Sequence, residues 1–252
     1  MDGTIDIDAR NGVMTLLMNR PEKKNALTDA MYGALADGMA AAEADDAIGA
    51  ILLAGAGGSF TSGNDIADFA KAATGDAPKV GERGVDRFLN AQIDGAKPLV
   101  AAVEGLAVGV GATTLFQCDL VYAAETAEIR TPFTDLGLVP ENASSYLAPR
   151  LMGSHRAFAL LALGEPLSAR AAEAAGLVNR VVPAAELMDV AFDAARRLAA
   201  KPREAMAATR ALLRGDPAAI KAISLEERRI FAERLKSDEA RAAFAAFMTR
   251  KR

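Results

Sequence analysis

Two glycine-bearing loops and one isolated acid are the residues of this chain whose types and spacing could do chemistry. The first loop is Ser62-Gly63-Asn64-Asp65 and the second is Gly105-Leu106-Ala107-Val108-Gly109-Val110-Gly111. Each follows an apolar, strand-like run, Ala50 to Ala54 and Leu99 to Val103. Glycine lacks a Cβ, so a ligand can approach the backbone closely there. A helix that begins near Gly109 or Val110 leaves its first N–H groups without intrahelical acceptors, and those donors suit a developing negative oxygen. The Gly63-Asn64 turn can offer a second N–H. Farther on, Thr131-Pro132-Phe133 leads to Gly137-Leu138-Val139-Pro140-Glu141, which puts one carboxylate in an apolar stretch. Two backbone donors and one acid point to chemistry that makes and quenches an enolate. On spacing alone, tight strand-to-helix turns are the simpler reading of both loops. Glu141, taken alone, reads as a helix-start acid after Pro140.

Other chemistries lack their residues. Gly55-Ala56-Gly57-Gly58-Ser59-Phe60 ends on Phe60 where a dinucleotide fingerprint needs glycine, and no Lys-Ser or Lys-Thr follows to make a phosphate loop. There is no Gly-x-Ser-x-Gly nucleophile elbow. His155, the single histidine, sits between Ser154 and Arg156 and reads as a surface or capping residue. Cys118, the single cysteine, rules out an intrachain disulfide and reads as buried and inert. No metal-ligand spacing is present.

The elements that must position these residues can be read from pattern. Ile5 to Ala9 and Val13 to Met18 read as strands around an Asn11-Gly12 turn. Thr28 caps a helix with Met31, Leu35, Met39 and Ala42 on one face. The runs at 50–54 and 99–103 are continuously apolar, as strands buried on both faces are. A helix near Arg83 to Ile93, a short buried helix from Val110 to Gln117 and a strand from Asp119 to Ala123 follow, and the polar stretch Lys71 to Val85 reads as mobile. Beyond Ser144 the chain is nearly all helix, with one strand candidate at Leu177 to Val182. Ser168 starts a helix, Gly176 stops it, and helices near Pro202–Arg214, Pro217–Leu235 and Asp238–Met248 finish the chain. Their apolar residues Ile220, Ile223, Leu225, Ile230, Phe231, Phe244 and Phe247 must be buried on the domain or on another subunit. The pattern is α/β.

A chain of 252 residues that is 51% hydrophobic can build a full core. Its 29 basic and 33 acidic residues give a net charge of -4, which argues against a nucleic-acid surface. No apolar run is long enough to span a membrane. The N-terminus lacks a signal-peptide core, and the last residues match no retention or peroxisomal signal, so a soluble, cytoplasmic setting is the default.

Several segments, in order and spacing, resemble the enoyl-CoA hydratase/isomerase (crotonase) superfamily over essentially the full length. They are Asn19-Arg20-Pro21 through Asn25-Ala26-Leu27, Phe60 to Asp65, Lys97 to Gly105, Cys118-Asp119, Gly164 to Ala169 and Ala174 to Val178. The resemblance implies a spiral of β-β-α units over residues 1–195 and a C-terminal helical trimerisation region over 196–252. It implies an acyl-CoA thioester substrate, a homotrimer or dimer of trimers, and no separate cofactor, since CoA belongs to the substrate. It maps the two oxyanion donors onto Asn64 and Val110. Lys24, Ala26, Ser62, Asp65 and Ile66 fall on positions lining the CoA path, and Gly63, Gly109, Phe133 and Leu138 complete the substrate-binding set.

The positions where hydratases of this superfamily carry two glutamates hold Thr113 and Phe133, so hydration is not expected. Glu141, with Ala143-Ser144-Ser145-Tyr146 after it, resembles the single acid-base residue of the Δ3,Δ2-enoyl-CoA isomerase branch, a branch acting in fatty-acid β-oxidation. Phe133, Leu136, Leu138 and Val139 are expected to raise its pKa, and a helix starting after Ala143 to lower it. The alternatives are another crotonase reaction, hydration or dienoyl-CoA isomerisation, and a non-catalytic CoA-thioester- or RNA-binding paralogue.

Overall fold

Asn11 and Gly12 both hold positive φ, 52° and 77°, as a tight two-residue hairpin turn requires. They join β1 (Thr4–Arg10) to β2 (Val13–Asn19) as an antiparallel pair. The computed structural model describes residues 3–65 and 83–250, with side chains to residue 246. Thr28 caps α1 (Asp29–Ala44), its side chain accepting the Met31 N–H. Next come β3 (Ala50–Gly55), α2 (Gly84–Asp94), β4 (Leu99–Val103), β5 (Leu106–Val108), α3 (Val110–Leu115), β6 (Leu120–Ala124) and β7 (Glu128–Arg130). A 3-10 turn at Thr134–Leu136 precedes α4 (Ser144–Met152) and α5 (Ser154–Leu161). Then follow β8 (Leu167–Ser168), α6 (Ala169–Ala174), β9 (Arg180–Val182), α7 (Ala184–Ala199), α8 (Arg203–Arg214), α9 (Pro217–Leu235) and α10 (Asp238–Arg250).

Six strands form one sheet in the order β1-β2-β3-β4-β6-β9, parallel except for the β1-β2 hairpin. Its central strands are covered on both faces. Ala50, Leu52, Ala54, Val100 and Ala102 pack with Leu187, Ala191 and Ala195 of α7. The alternate residues Ile51, Leu53, Leu99, Ala101 and Val103 belong to the main core on the other face. That two-sided burial is why both segments read as unbroken apolar runs. A second sheet, β5-β7-β8, stands apart from the first and carries the chain into α3.

The expected strands and helices are present, with ends shifted by a residue or two. The strand expected at 177–182 is confined to Arg180–Val182, because the Leu177 and Val178 N–H groups both turn back to Ala172 O after Gly176. The loop expected over 105–111 instead contains β5. Among the terminal apolar residues, Ile220 is buried, Phe231 and Phe244 pack against the core, and Leu225 is exposed. The Phe247 side chain lies outside the described residues, as does the expected polar stretch up to residue 82. No described helix is long and apolar enough to cross a membrane.

Candidate active site

The two glycine loops lie side by side. Thr61 N–H donates to Leu106 O at 2.9 Å and Val108 N–H donates to Thr61 O at 3.0 Å. A Cβ on Gly63 would come within 2.8 Å of Val108 O, so the backbones touch where Gly63 takes its φ of +87°. Leu27 pairs with Asn64 as a parallel bridge, its N–H donating to Gly63 O and its carbonyl accepting from Asp65 N–H. Ser62 N–H donates to Lys24 O at 2.8 Å. Lys24, Ala26, Ser62, Gly63, Asn64 and Asp65 therefore lie on two hydrogen-bonded segments, the second bonded to β5 just before Gly109 and Val110. Ile66 lies outside the described residues.

The 19–27 loop is held from beneath by Asn25, which is buried and left-handed (φ 54°). Its Nδ2 donates to Ala56 O at 2.8 Å and Ser59 O at 2.6 Å, and its Oδ1 accepts the Arg20 N–H. Arg20 in turn reaches Asp65 (2.7 Å) and Ala26 O (3.1 Å). Asp65 is thus braced by an ion pair, a role that the sequence pattern does not reveal.

Val110 opens α3, and Gly109 before it has φ 58° and ψ -116°. Among the described residues, neither the Val110 N–H nor the Asn64 N–H has a hydrogen-bond acceptor. A Cβ on Gly109 would meet nothing within 4 Å, while Val110 itself is buried. The Asn64 side chain is fixed from the core: Tyr32 OH donates to its Oδ1 at 2.5 Å.

Glu141 is linked to the first loop through Tyr32, which feels the Glu141 charge and whose hydroxyl donates to Asn64 Oδ1. Gly109 N–H donates to Arg130 O, just before the segment that holds Phe133. Phe133 and Leu138 are both buried, and Leu138 N–H donates to Phe133 O. The turn after Glu141 is tied to the end of α3 by a buried polar chain. Gln117 Nε2 donates to Asn142 O (2.9 Å), Asn142 Nδ2 to Gln92 Oε1 (3.0 Å), and Gln92 Nε2 to Thr114 Oγ1 (3.3 Å). Asn142 and Ala143 are both left-handed, with φ of 61° and 57°, which costs non-glycine residues about 1 to 3 kcal/mol each. Thr113 is wholly buried and its hydroxyl donates to Val110 O within its own helix.

Glu141 is 5% exposed, and its buried Oε1 has no hydrogen-bond partner. Burial pushes its pKa from 4.5 up to about 7, and Glu227 adds repulsion; Arg83 and Arg228 pull the other way, and Asp86 adds a smaller push. The helix N-terminus expected to lower it does not do so: Ala143 N–H and Ser145 N–H at the start of α4 donate to Glu227 instead. Tyr32 ties the two halves together, since its hydroxyl, held neutral mainly by burial, also feels the Glu141 charge. Glu227 has no motif around it, so sequence reasoning missed it; only its place on α9 brings it here. Away from this region, His155 is exposed; Cys118, expected to be buried, is only partly so, and desolvation raises its thiol pKa. No cluster of three or more metal-ligating side chains occurs among the described residues.

A mostly parallel sheet, two adjoining loops with unpaired N–H groups and a buried acid define a class of fold. The enoyl-CoA hydratase/isomerase family model matches residues 8–252, and the chain belongs to that family. It is 36% identical over 248 residues to the rat protein enoyl-CoA delta isomerase 2, covering 97% of this chain and 63% of that one. The chain thus spans less than two thirds of that relative. It is 41% identical over 195 residues to the Escherichia coli 1,2-epoxyphenylacetyl-CoA isomerase, covering 76% and 74%. A solved enoyl-CoA hydratase/isomerase from Pseudoalteromonas atlantica superposes with a TM-score of 0.93 at 40% identity, over 98% of this chain and 97% of that one.

Proposed function

We propose that this chain moves the double bond of a 3-enoyl-CoA into conjugation, forming 2-enoyl-CoA, with Glu141 as the one proton carrier. The observation that carries the reading is the buried Glu141 carboxyl, unpartnered at Oε1 and titrating at about 7, with Thr113 and Phe133 offering no second acid. The C2 protons of a 3-enoyl thioester are acidified by both the carbonyl and the double bond. Glu141 takes one as a carboxylate, leaving a dienolate whose oxygen the Asn64 and Val110 N–H groups hold. Each such donor is worth roughly 3 kcal/mol in the transition state. The protonated carboxyl then returns that proton to C4, and the carboxylate is regenerated. A base with pKa near the working pH is efficient in both directions. Lys24, Ala26, Ser62, Gly63 and Asp65 line the CoA side, and Gly109, Phe133 and Leu138 the acyl side. CoA arrives with the substrate, so the reading needs no other cofactor.

The delta-isomerase relative supports the double-bond shift; the E. coli relative, named for a different acyl-CoA isomerisation, supports an enolate-type thioester site more generally. The test supplies cis- and trans-3-enoyl-CoA and follows conjugated 2-enoyl-CoA. Glu141→Gln is expected to lower kcat by about 10²- to 10⁴-fold. Unchanged turnover in that variant refutes the one-base mechanism, and fast hydration of crotonyl-CoA refutes the reaction assignment. The trimer belongs to the same proposal. Leu212 and Leu213 on α8 and Phe158 on α5 are exposed apolar side chains that further copies can cover. A solution mass of one chain would count against it.

A further inference from the structure

Glu227 comes from α9, 84 residues beyond Ala143, and is only 7% exposed. Its Oε2 accepts the Ala143 N–H at 2.6 Å. Its Oε1 accepts the Ser145 N–H at 3.0 Å and the Ser145 hydroxyl at 2.5 Å. Three donors on one carboxylate grip the segment that directly follows Glu141, where two consecutive residues hold left-handed backbone. Only Asn142 stands between Glu141 and the first gripped residue, and the Ser144 N–H donates back to Glu141 O at 3.1 Å, so that turn sets the direction in which Glu141 projects.

We propose that Glu227 is a positioning residue for Glu141: its carboxylate fixes the turn that aims the Glu141 side chain and presents a second negative charge to it. The inference rests on the reading of Glu141 as the acid-base group. Two consequences follow from the geometry. The first N–H groups of α4 would ordinarily favour a nearby anion; Glu227 occupies them, so Glu141 is denied that stabilisation. Repulsion between the two carboxylates then favours the protonated form of Glu141.

The other charges facing Glu141 are Arg83 and Asp86 at the start of α2 and Arg228 on α9, with the neutral Tyr32 on α1. Both arginines are engaged with Asp86, Arg83 at 2.8 Å and Arg228 at 3.4 Å, which blunts their pull. Arg228 offsets part of the Glu227 charge but is shared with Asp86. Glu227 itself holds its proton more readily than an ordinary carboxyl because of burial, opposed by its three hydrogen bonds and by Arg228.

The experiment titrates the Glu141 carboxyl in the substrate-free enzyme by difference infrared spectroscopy, the Glu141→Gln variant identifying its band. The pH profile of kcat/KM on 3-enoyl-CoA is measured alongside. Glu227→Gln is expected to move the Glu141 midpoint and the acid limb of the profile to lower pH, with kcat falling more than KM changes. Ser145→Ala, at an exposed position that tolerates truncation, takes one hydrogen bond from the Glu227 carboxylate and raises that group's proton affinity. It is expected to move the Glu141 midpoint the same way by less, and it keeps the test open should Glu227→Gln not fold. A Glu141 midpoint unmoved in the variants that fold overturns the proposal. Because the infrared titration needs no substrate, a shifted midpoint without turnover of any 3-enoyl-CoA would fault the isomerase reading instead.

Discussion

Replacing Glu141 by glutamine is expected to make the protein more stable at alkaline pH while it removes activity. The native state must hold the Glu141 carboxylate away from water without a partner for Oε1, whereas the unfolded chain leaves it solvated. Its folded pKa of about 7 against an ordinary 4.5 means that the folded protein binds this proton more tightly than the unfolded one. Stability therefore falls as pH rises from 4.5 to about 7 and is flat on either side of that window. The accumulated difference is about 3 kcal/mol, at 1.36 kcal/mol per tenfold change in proton affinity. Glutamine keeps the shape and carries no charge at any pH. The stability of the variant minus that of the wild type, from urea unfolding at a series of pH values, is expected to rise across the window and level off above it. Groups that titrate alike in both proteins cancel in the difference. For a chain of this length the plateau corresponds to roughly 6 to 12 °C in Tm. A difference that stays flat between pH 4.5 and 8, or that falls, would refute the argument that burial of an unpartnered carboxyl sets its proton affinity.

Tyr32→Phe removes the donor to Asn64 Oδ1 and is expected to lower kcat/KM about fivefold, with a stability loss near 1 kcal/mol; steady-state kinetics check it, and an unchanged kcat/KM would show that Asn64 is held without Tyr32. Gly63→Ala forces a Cβ to within 2.8 Å of Val108 O at a φ of +87°, so the two donor loops must part; up to about a 100-fold loss of kcat/KM is expected, together with a lowered Tm. Asn25→Asp puts a carboxylate oxygen where Nδ2 now donates to Ala56 O and Ser59 O, and is expected to cost about 3 kcal/mol in urea unfolding at neutral pH, less at low pH where the acid can donate one bond.

Elements whose local chemistry agrees with their tertiary environment were legible. The Asn11-Gly12 hairpin, the Thr28 and Ser168 caps and the two doubly buried strands each carry their own signal, and each is present. The strands β5, β7 and β8 carry none: three, three and two residues are too few to show a period. Yet β5 delivers the chain to Gly109 and Val110, so the second sheet matters to the site out of proportion to its length. Left-handed Ala143 is equally silent, since alanine has no preference for that backbone; three bonds from a distant helix hold the turn in which it sits.

The same contrast separates the two halves of the proposed chemistry. An oxyanion needs donors that never titrate, and backbone N–H groups meet that need whatever the side chain. Val110 therefore suffices, and it is the family resemblance rather than glycine spacing alone that marks the place. A proton carrier must titrate near the working pH, and a carboxyl does so only when its surroundings penalise its charge. Those surroundings are not local: Arg83 and Asp86 stand at the start of α2, while Glu227 and Arg228 stand on α9. The sequence around residue 141 can name the acid but not its strength. The terminal helices are thus part of the acid's electrostatic environment as well as packing, and substitutions on α9 that leave the fold intact are expected to reappear as displaced pH profiles.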